Sequence, residues 1–496
     1  MSKIHPKIQP FSLAGLKDFN IYGELPENVF LHGVNHDSNA IQAGDLFVAL
    51  SGQKTHGASF ANEALSRGAS AILTDVAGSQ ILQKSISVPV LVIEDLRSNL
   101  GEISSRIYGE PSKKLKVYGI TGTNGKTTTS WLLSSGLASS GVKSGLLGTA
   151  GIKIGDLSFD SIRTTPEAPH LQALLALAVE QGLSTVVMEV SSHALTLDRV
   201  AGTNFQAVGF TNLSQDHLDF HGDMENYFQA KKKLFTKRYS SFAAICLQDA
   251  WGQRLASEID ISKTTIGTGN KANWILEDIS PALGHVDFNL LTPKSKRLEV
   301  KLEFAGAFNA FNAALALAIV NDLPISYAEF IRGLAKAHIP GRMEPVLVPG
   351  SALGIVDYAH TPDAIAAVLD TLRLQTNGRV IAVLGAGGDR DVSKRGLMGQ
   401  AAARADLVIV TDDNPRSEDP KKIRSALLEG MTKATKVVEI ADRKEAIFYA
   451  ALQSSELDTV VVLGKGHESF QEIAGVQTPF SDSEVLLAAL SEAVAK

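Results

Sequence analysis

The 496-residue chain contains a single cysteine, Cys246. One thiol can form neither an internal disulfide nor a cysteine-rich zinc site, so we expect a fold held by packing in a reducing compartment, the cytoplasm. Long apolar runs are also absent: no stretch approaches the roughly 20 residues that cross a bilayer. The first residues lack the apolar core of an export signal. The sequence therefore predicts no membrane insertion.

Basic residues are not in excess either, since 47 Lys and Arg stand against 53 Asp and Glu, for a net charge of −6. This balance argues against nucleic acid as a partner, because phosphate backbones attract basic surfaces. A hydrophobic fraction of 44% with 20% charged residues is ordinary for globular proteins and excludes disordered and fibrous classes. We expect a monomer of three domains, at about 150 residues per domain, with small-molecule ligands.

A glycine-rich segment, Gly119 to Thr128, follows an apolar run and opens a helical pattern. Phosphate-binding loops have this setting, because glycines let backbone N–H groups face phosphate oxygens and a helix start adds a positive dipole. Here Lys126 would reach the outer phosphates and the Thr127 hydroxyl would hold Mg2+. The strict pattern G-x-x-x-x-G-K-[ST] wants glycine where Ile120 stands. The segment predicts binding of a nucleoside triphosphate by Gly122, Thr123, Asn124, Gly125, Lys126, Thr127 and Thr128.

Strand and helix patterns alternate along the chain, and two stretches rich in Pro and Gly, near 109–114 and 339–342, divide them. This order predicts an α/β fold of three domains. We expect an α/β domain over 1–110, a central P-loop ATPase domain with a mostly parallel sheet over 111–340, and a Rossmann-like domain over 341–496. The predicted strands are 45–50, 69–73, 116–120, 185–189, 207–211, 243–247, 379–384, 406–411, 436–440 and 459–463.

Polar residues cluster after two of the central strands. Glu189 ends a strongly apolar strand, where a carboxylate can face Mg2+ beside a phosphate loop. The segment 211–221 holds two histidines and two carboxylates. These residues predict either a second Mg2+ or phosphate site, or a polar loop in which Asp and His cap the backbone. The run 231–233 of three lysines has the charge pattern of a solvated helix face.

Three turns of the last domain follow strands and carry charged residues. They place Arg390, Arg416 and Glu468 at strand ends, where guanidinium groups would bind a carboxylate and Glu468 an ammonium. This predicts a pocket for a zwitterion. A dinucleotide-binding dehydrogenase is disfavoured, because Arg390 stands where the G-x-G-x-x-G fingerprint needs its last glycine.

Several motifs in this order resemble the Mur ligase family, and within it the UDP-N-acetylmuramoyl-tripeptide synthetases: 122–128, 188–193, 216–219, 413–416 and 464–468. The resemblance implies a UDP-sugar domain, a central ATPase domain and a domain for the incoming amino acid. It also implies that the D-glutamyl carboxylate of a UDP-muramyl dipeptide attacks the γ-phosphate of ATP. The amine of a diamino acid would then displace phosphate from the resulting acyl phosphate.

The resemblance also implies roles for individual residues. Thr127 and Glu189 would hold the Mg2+ of the nucleotide, His217 would share a second ion with Glu189, and Lys231 would be a carbamylated lysine that ligates Mg2+. The remaining ATP-binding residues would be Asn309, Asn312, Arg342, Asp357 and His360. The UDP-sugar-peptide would meet Ser38, Gln53, Lys54, Thr55, Thr164, Thr165, Ser191 and Arg199. The amino acid would meet Arg390, Asp413, Asn414, Pro415, Arg416, Gly464 and Glu468.

The identity of the amino acid turns on Arg416. Diaminopimelate ends in a carboxylate beside its ammonium, which an arginine can pair, whereas lysine ends in a bare ammonium that the arginine would repel. Diaminopimelate is therefore favoured. Lysine or ornithine stays open, because Arg416 could instead bind the α-carboxylate that all three amino acids share. Two other readings also remain: a sibling Mur or folylpolyglutamate-type ligase, and a nucleotide-dependent switch.

Overall fold

The computed structural model describes residues 4–52, 54–82, 86–282, 284–320, 322–431 and 436–495. Three sheets of four or more strands follow one another along the chain, and helices separate most of their strands. The predicted α/β class is confirmed, and each of the ten strands predicted from the sequence is present, with ends that differ by at most two residues.

The first part of the chain forms a small four-stranded sheet in the order β3-β4-β5-β6, in which every pair is parallel. Strand β4 is buried along its whole length, as expected for an apolar strand covered on both faces. The strands are β1 (Phe11–Ser12), β2 (Phe30–Leu31), β3 (Gly33–Asn35), β4 (Asp45–Ala49), β5 (Ala71–Thr74) and β6 (Val90–Val92), and the helices are α1 (Ala61–Ser66), α2 (Val76–Ile81) and α3 (Leu96–Ile107).

The middle part builds an eleven-stranded sheet in the order β10-β9-β8-β11-β7-β12-β13-β14-β15-β16-β17. Its strands are β7 (Lys116–Thr121), β8 (Ser144–Gly148), β9 (Gly151–Ile154), β10 (Leu157–Phe159), β11 (Thr185–Glu189), β12 (Ala207–Phe210), β13 (Phe242–Cys246), β14 (Ser262–Gly267), β15 (Trp274–Ala282), β16 (His285–Leu291) and β17 (Arg297–Leu302). Its helices are α4 (Lys126–Ser139), α5 (Ala168–Glu180), α6 (Ser192–Thr196), α7 (Leu218–His221), α8 (Met224–Lys232), α9 (Ala250–Glu258), α10 (Ala307–Ile319) and α11 (Tyr327–Ala335).

The seven neighbouring strands β8-β11-β7-β12-β13-β14-β15 of this sheet are parallel. Antiparallel strands flank them at both edges of the sheet. The phosphate-loop strand β7 lies between β11 and β12. The carboxyl ends of these three strands therefore meet at one edge of the sheet, where parallel α/β sheets bind their ligands.

Helices α4 and α11 pack closely on one face of the central sheet. A Cβ on Gly333 of α11 would lie 2.4 Å from the Ser135 carbonyl oxygen and 2.8 Å from the Gly136 Cα of α4. The two backbones can approach this closely only because both positions lack a side chain. The glycine pair thus sets the distance between α11 and α4, the helix that begins at the phosphate loop.

Replacing Gly333 with alanine should destabilise the protein by about 1–3 kcal/mol, because the added methyl group overpacks the contact with α4. The matched control is Gly396→Ala, also within a helix, where the nearest atom to a new Cβ is 3.9 Å away. That change should be neutral or stabilising, since alanine has the higher helix propensity. Thermal unfolding of both variants measures the difference, and equal melting temperatures would contradict the packing argument.

The last part forms a six-stranded sheet in the order β18-β19-β23-β20-β21-β22, parallel except for the edge strand β18. Its strands are β18 (Glu344–Val346), β19 (Leu353–Asp357), β20 (Val380–Leu384), β21 (Leu407–Val410), β22 (Val437–Glu439) and β23 (Thr459–Leu463), followed by the hairpin β24 (Phe470–Ile473) and β25 (Val476–Pro479). Its helices are α12 (Pro362–Gln375), α13 (Lys394–Ala402), α14 (Pro420–Glu429), α15 (Arg443–Leu452) and α16 (Asp482–Ala495).

The last sheet faces the central sheet through polar contacts. Arg342 donates from Nη2 to the Thr127 hydroxyl at 3.0 Å, and Lys394 donates to Asp216 Oδ1 at 2.9 Å. Thr127 lies in the first turn of α4, directly after the phosphate loop, and Asp216 lies in the segment that follows β12. The two sheets therefore meet at the carboxyl ends of the central strands. In the described part of the chain, no helix is both long and apolar enough to cross a membrane.

Candidate active site

A cavity of about 260 Å³ lies between the central and last sheets. The phosphate loop forms one wall, and the three charged turns of the last part form the other. The residues that the sequence predicted and that line this cavity are Thr123, Asn124, Gly125, Lys126, Thr127, Thr164, Glu189, His217, Arg342, His360, Arg390, Asp413, Asn414, Arg416, Gly464 and Glu468.

The phosphate loop owes its shape to two glycines with positive φ, Gly122 at +148° and Gly125 at +84°. A Cβ on Gly122 would lie 1.8 Å from Thr211 Oγ1, so only glycine fits there. Lys126 begins α4 and donates from Nζ to the carbonyls of Gly122 and Thr123 at 2.9 and 2.8 Å. Burial lowers the pKa of this ammonium. A cation that shares loop carbonyls in this way lies where phosphate oxygens would meet it.

Glu189 ends the buried strand β11 beside the loop, and its carboxylate is enclosed by donors. Its Oε2 accepts hydrogen bonds from the Thr127 and Thr149 hydroxyls, both at 3.1 Å, and its Oε1 accepts from the Thr149 backbone N–H at 2.8 Å. The closeness of Gly148 explains the fit, since a Cβ there would lie 2.3 Å from Oε1. A hydroxyl and a carboxylate thus converge at the loop.

Lys231 is buried rather than solvated, although it stands in a run of three lysines. Its Nζ donates to the Gly122 carbonyl at 2.8 Å and lies 4.5 Å from the centre of the Tyr227 ring. Burial, and then the nearby charge of Lys126, holds the pKa of Lys231 well below its ordinary value. The charge pattern alone predicts a solvated face for this lysine and is wrong, because the helix α8 turns it inward. The family resemblance had already set Lys231 apart from Lys232 and Lys233. The neighbouring Lys232 pairs with Glu258 at the surface.

His217 lines the cavity and has a φ of +56°. Its ring contacts His193, with centroids 4.8 Å apart, and its Nε2 lies 3.4 Å from Asp216 Oδ2. Asp216 also accepts from Lys394 and lies 3.8 Å from His360 Nε2. His217 and Glu189 line the same cavity but bond to different partners.

A second cavity of about 330 Å³ adjoins the loop on its other side. Asn309 and Asn312 of α10 lie at its base, where the Asn312 Nδ2 donates to Asn309 Oδ1 at 3.0 Å. The Asp357 carboxylate accepts from the backbone N–H groups of Met343 and Ala359, and burial raises its pKa. Predicted residues that line this cavity are Asn124, Gly125, Thr128, Asn309, Asn312, Arg342 and Asp357. His360 belongs to the first cavity instead.

The three turns of the last part meet around Asn414. Arg416, with φ of +53°, donates from Nη1 to the Gly388 carbonyl at 2.6 Å. Asn414 donates from Nδ2 to Glu468 Oε2 at 2.8 Å. Gly464 is required by its surroundings, since a Cβ there would lie 2.5 Å from Asp413 Oδ2. Carboxylates and guanidinium groups thus stand on one wall of the cavity.

Arg390 and Pro415 differ in whether they reach the cavity. Arg390 lines the cavity, whereas Pro415 acts through its backbone: its carbonyl oxygen would lie 1.9 Å from a Cβ on Gly388. Pro415 therefore shapes the contact between two turns and does not line the cavity.

A third cavity, of about 390 Å³, lies between the first and middle parts and includes Asp37 and Asn39 in its lining. Ser38 between them is buried, and its hydroxyl donates to Glu63 at 2.8 Å. Lys54 and Thr55 lie on an exposed turn outside this lining, and Gln53 lies outside the described residues.

The residues predicted for the muramyl peptide lie between this third cavity and the first. Thr164 lines the first cavity and accepts from the Thr149 hydroxyl at 3.0 Å. Thr165 is fully buried and ties its hydroxyl to the Glu189 carbonyl and the Ser191 N–H. Arg199 pairs with Glu167 of the third cavity at 2.9 Å. Thr165 and Ser191 thus shape the strand end, whereas Thr164 faces the cavity.

Sequence reasoning missed three cavity-related residues. Thr149 binds Glu189 through its backbone and hydroxyl, but no motif surrounds it in the sequence. Lys394 bridges to Asp216 from the last part. Lys465 lies inside the 464–468 motif, but the sequence predicts amino-acid binding only for Gly464 and Glu468 of that motif. Only contacts distant in sequence reveal these residues.

The oxygen groups at Thr127 and Glu189 fit a Mg2+ ion, because Mg2+ prefers oxygen ligands and is bound through one or two carboxylates together with substrate phosphates. Among the residues that the structure describes, no group of three or more His, Cys, Asp and Glu is arranged to hold a metal by itself. A site that relies on nucleotide phosphates for its remaining ligands matches this geometry.

Comparison with known families identifies the architecture. Three family profiles match in order: the Mur ligase family catalytic domain over residues 30–108, the Mur ligase middle domain over 120–320, and the Mur ligase glutamate ligase domain over 341–466. The chain belongs to the Mur ligase family. Membership makes it an ATP-dependent ligase, and the phosphate loop stands inside the middle-domain match.

Relatives agree with this placement. A protein of Corynebacterium glutamicum named UDP-N-acetylmuramoyl-L-alanyl-D-glutamate–2,6-diaminopimelate ligase is 48% identical, over 92% of this chain and 91% of its own. One of the same name from Aquifex aeolicus is 42% identical, over 92% of both chains. A solved structure of that name has a TM-score of 0.68 at 33% identity, covering 98% of this chain and 99% of its own.

Proposed function

We propose that this Mur ligase joins meso-diaminopimelate to UDP-N-acetylmuramoyl-L-alanyl-D-glutamate, with ATP cleaved to ADP and phosphate. The observation that carries the proposal is the 260 Å³ cavity, which places Lys126 and Glu189 opposite Arg416 and Glu468. A triphosphate site and a zwitterion site thus share one space, as amide ligation requires. The curated names of the relatives agree with the substrate.

In this mechanism the D-glutamyl carboxylate of the sugar-peptide attacks the γ-phosphorus of ATP, and the acyl phosphate forms as ADP leaves. Lys126 neutralises the phosphate charge, and the loop holds the oxygens in place. The amine of the diamino acid then attacks the acyl carbon, and phosphate leaves. Positioning supplies most of the catalysis, because the protein provides no nucleophile of its own.

The remaining ligand roles follow from placement. Mg2+, when bound, would neutralise the phosphate charge, and Thr127 and Glu189 would hold it, with His217 and a carbamate on Lys231 near a second ion. Asn309, Asn312 and Asp357 line the cavity that suits the nucleoside. The uridine diphosphate end would bind near the 390 Å³ cavity that borders Ser38. Arg416 would pair the distal carboxylate and Glu468 the ammonium.

We also propose that the chain acts as a cytoplasmic monomer and divides into domains at 1–110, 111–340 and 341–496. The three sheets fall within these ranges. Each substrate would then bind mainly to one domain, and the reaction would occur where the second and third domains meet.

The test is ADP release by the purified protein with ATP, Mg2+, the UDP-muramyl dipeptide and one amino acid. We expect release to require both the dipeptide and meso-diaminopimelate, with lysine and ornithine much poorer. Comparing the three amino acids matters because names of relatives differ in detail. A relative from Leifsonia xyli, 39% identical, is named UDP-N-acetylmuramyl-tripeptide synthetase, a name that does not specify the amino acid. Equal ATP hydrolysis without either substrate, or consumption of ATP only with a folate, would refute the proposal.

A further inference from the structure

Lys465 is fully buried beside Asp413, Asn414 and Glu468, which belong to the cavity wall proposed to bind the diamino acid. Its Nζ donates to Asn414 Oδ1 at 2.9 Å and lies 3.3 Å from Glu468 Oε2 and 3.8 Å from Asp413 Oδ1. The ammonium also lies 5.8 Å from the centre of the Phe470 ring. One cation thus contacts three of the residues proposed to hold the amino acid.

These contacts fix the orientation of the Asn414 amide. Its Oδ1 accepts from Lys465 Nζ and from the Glu472 backbone N–H, both at 2.9 Å. The opposite orientation would place the NH2 group against two donors, so it is excluded while Lys465 carries its protons. The amide must therefore direct Nδ2 towards Glu468 Oε2, where it lies at 2.8 Å.

The same contacts set the charge of the carboxylate pair Asp413 and Glu468, which stands apart from the guanidinium groups of Arg390 and Arg416 on the same cavity. Asp413 and Glu468 are two carboxylates that face one ammonium, which leaves a single negative charge for an incoming ammonium. Behind them, Arg443 is bound bidentately by Asp482, so this buried pair adds no net charge. Burial, and then Asp413, raises the pKa of Glu468. Without Lys465, the two carboxylates would repel each other in a poorly solvated site.

We propose that Lys465 is a positioning residue for the diamino acid: it locks the Asn414 amide and leaves the carboxylate pair Asp413 and Glu468 with one unpaired negative charge that matches the substrate ammonium. This inference rests on the proposed function of the cavity. Lys465 acts through Asn414, Asp413 and Glu468 and is not assigned a contact with the substrate.

The test compares Lys465→Met and Lys465→Gln with the wild-type enzyme. Methionine keeps the apolar stem but removes both charge and donor, whereas glutamine removes the charge and keeps an N–H donor on a side chain one atom shorter. The matched control is Lys444→Met, the same replacement at an exposed lysine of the same part of the chain. KM is measured for meso-diaminopimelate, ATP and the UDP-muramyl dipeptide, and thermal unfolding reports folding.

We expect Lys465→Met to raise KM for meso-diaminopimelate at least tenfold, with KM for the other two substrates within twofold. Lys465→Gln should give a smaller increase, and it carries the test if the methionine variant does not fold. Lys444→Met should match the wild type. An unchanged KM for meso-diaminopimelate, or an equal rise for all three substrates, would overturn the inference.

The outcome for the wild-type enzyme separates the two proposals. If the wild type releases no ADP in response to meso-diaminopimelate, the proposed function fails and with it the role of Lys465. If the wild type is active and Lys465→Met binds meso-diaminopimelate as well as before, only the role of Lys465 fails.

Discussion

Replacing Lys231 with alanine should lower ADP release in the complete reaction by about 10³-fold, the scale expected when a preorganised charge is removed from a phosphoryl-transfer site. The structure gives the reason: Lys231 is buried against Gly122 of the phosphate loop, and its lowered pKa favours the neutral amine. A neutral amine adds to CO2 and loses a proton, which forms the N–C bond of a carbamate. At Lys231 this reaction would place an anion suited to Mg2+ beside Lys126.

The matched control for this prediction is the next residue in the sequence. Lys232→Ala removes a lysine whose Nζ pairs with Glu258 at 2.7 Å in a partly exposed contact, and its effect on activity should stay within twofold. Activity of the wild type should also fall when CO2 is stripped from the buffer and return with bicarbonate. Equal effects of the two lysine substitutions, or no response to CO2, would contradict the carbamate.

Arg416→Ala should raise KM for meso-diaminopimelate by about 10- to 100-fold, because hydrogen bonds to charged groups contribute about 1.5–3 kcal/mol each. Arg416 is held at the cavity wall by the bond from its Nη1 to the Gly388 carbonyl. KM for ATP should remain close to the wild-type value, since the phosphate loop lies on the opposite wall. Steady-state kinetics with each substrate varied in turn measures both values.

Arg404→Ala serves as the control for this second prediction. Arg404 forms an exposed pair with Asp370 at 3.0 Å, which is expected to contribute little. If Arg416→Ala binds meso-diaminopimelate normally, or accepts lysine no better relative to meso-diaminopimelate than the wild type does, Arg416 does not select the distal carboxylate. Selection would then rest on other residues of the wall.

Most of the fold was predictable because the strands of parallel sheets are continuous apolar runs. Strand β11 and strand β23 are buried at every position, and both were found from their composition. The short polar strands and the edge hairpins were not predicted, since their patterns are set by pairing with neighbours. Strand order was equally hidden, because it depends on contacts between distant segments.

The candidate site divides in the same way. Motifs with a local mechanism, such as the phosphate loop around Lys126, were found because spacing within one loop determines the chemistry. Lys231 shows the opposite case: its charge pattern predicts a solvated face, and although the family resemblance implied a ligand role, only the packing of α8 against the loop shows that it is buried. Ser38 was expected at the sugar-binding end, but its hydroxyl is bonded to Glu63.

The amino-acid sequence alone determined the α/β class, the phosphate loop and the charged turns, because apolar runs and short motifs act over a few residues. The tertiary structure decided which of these lie together. It placed Lys126 and Glu468 around one cavity and buried Lys231 and Lys465 against backbone and amide oxygens. In these contacts the two lysines are buried against segments more than 50 residues away in the sequence. No local sequence pattern can reveal such contacts.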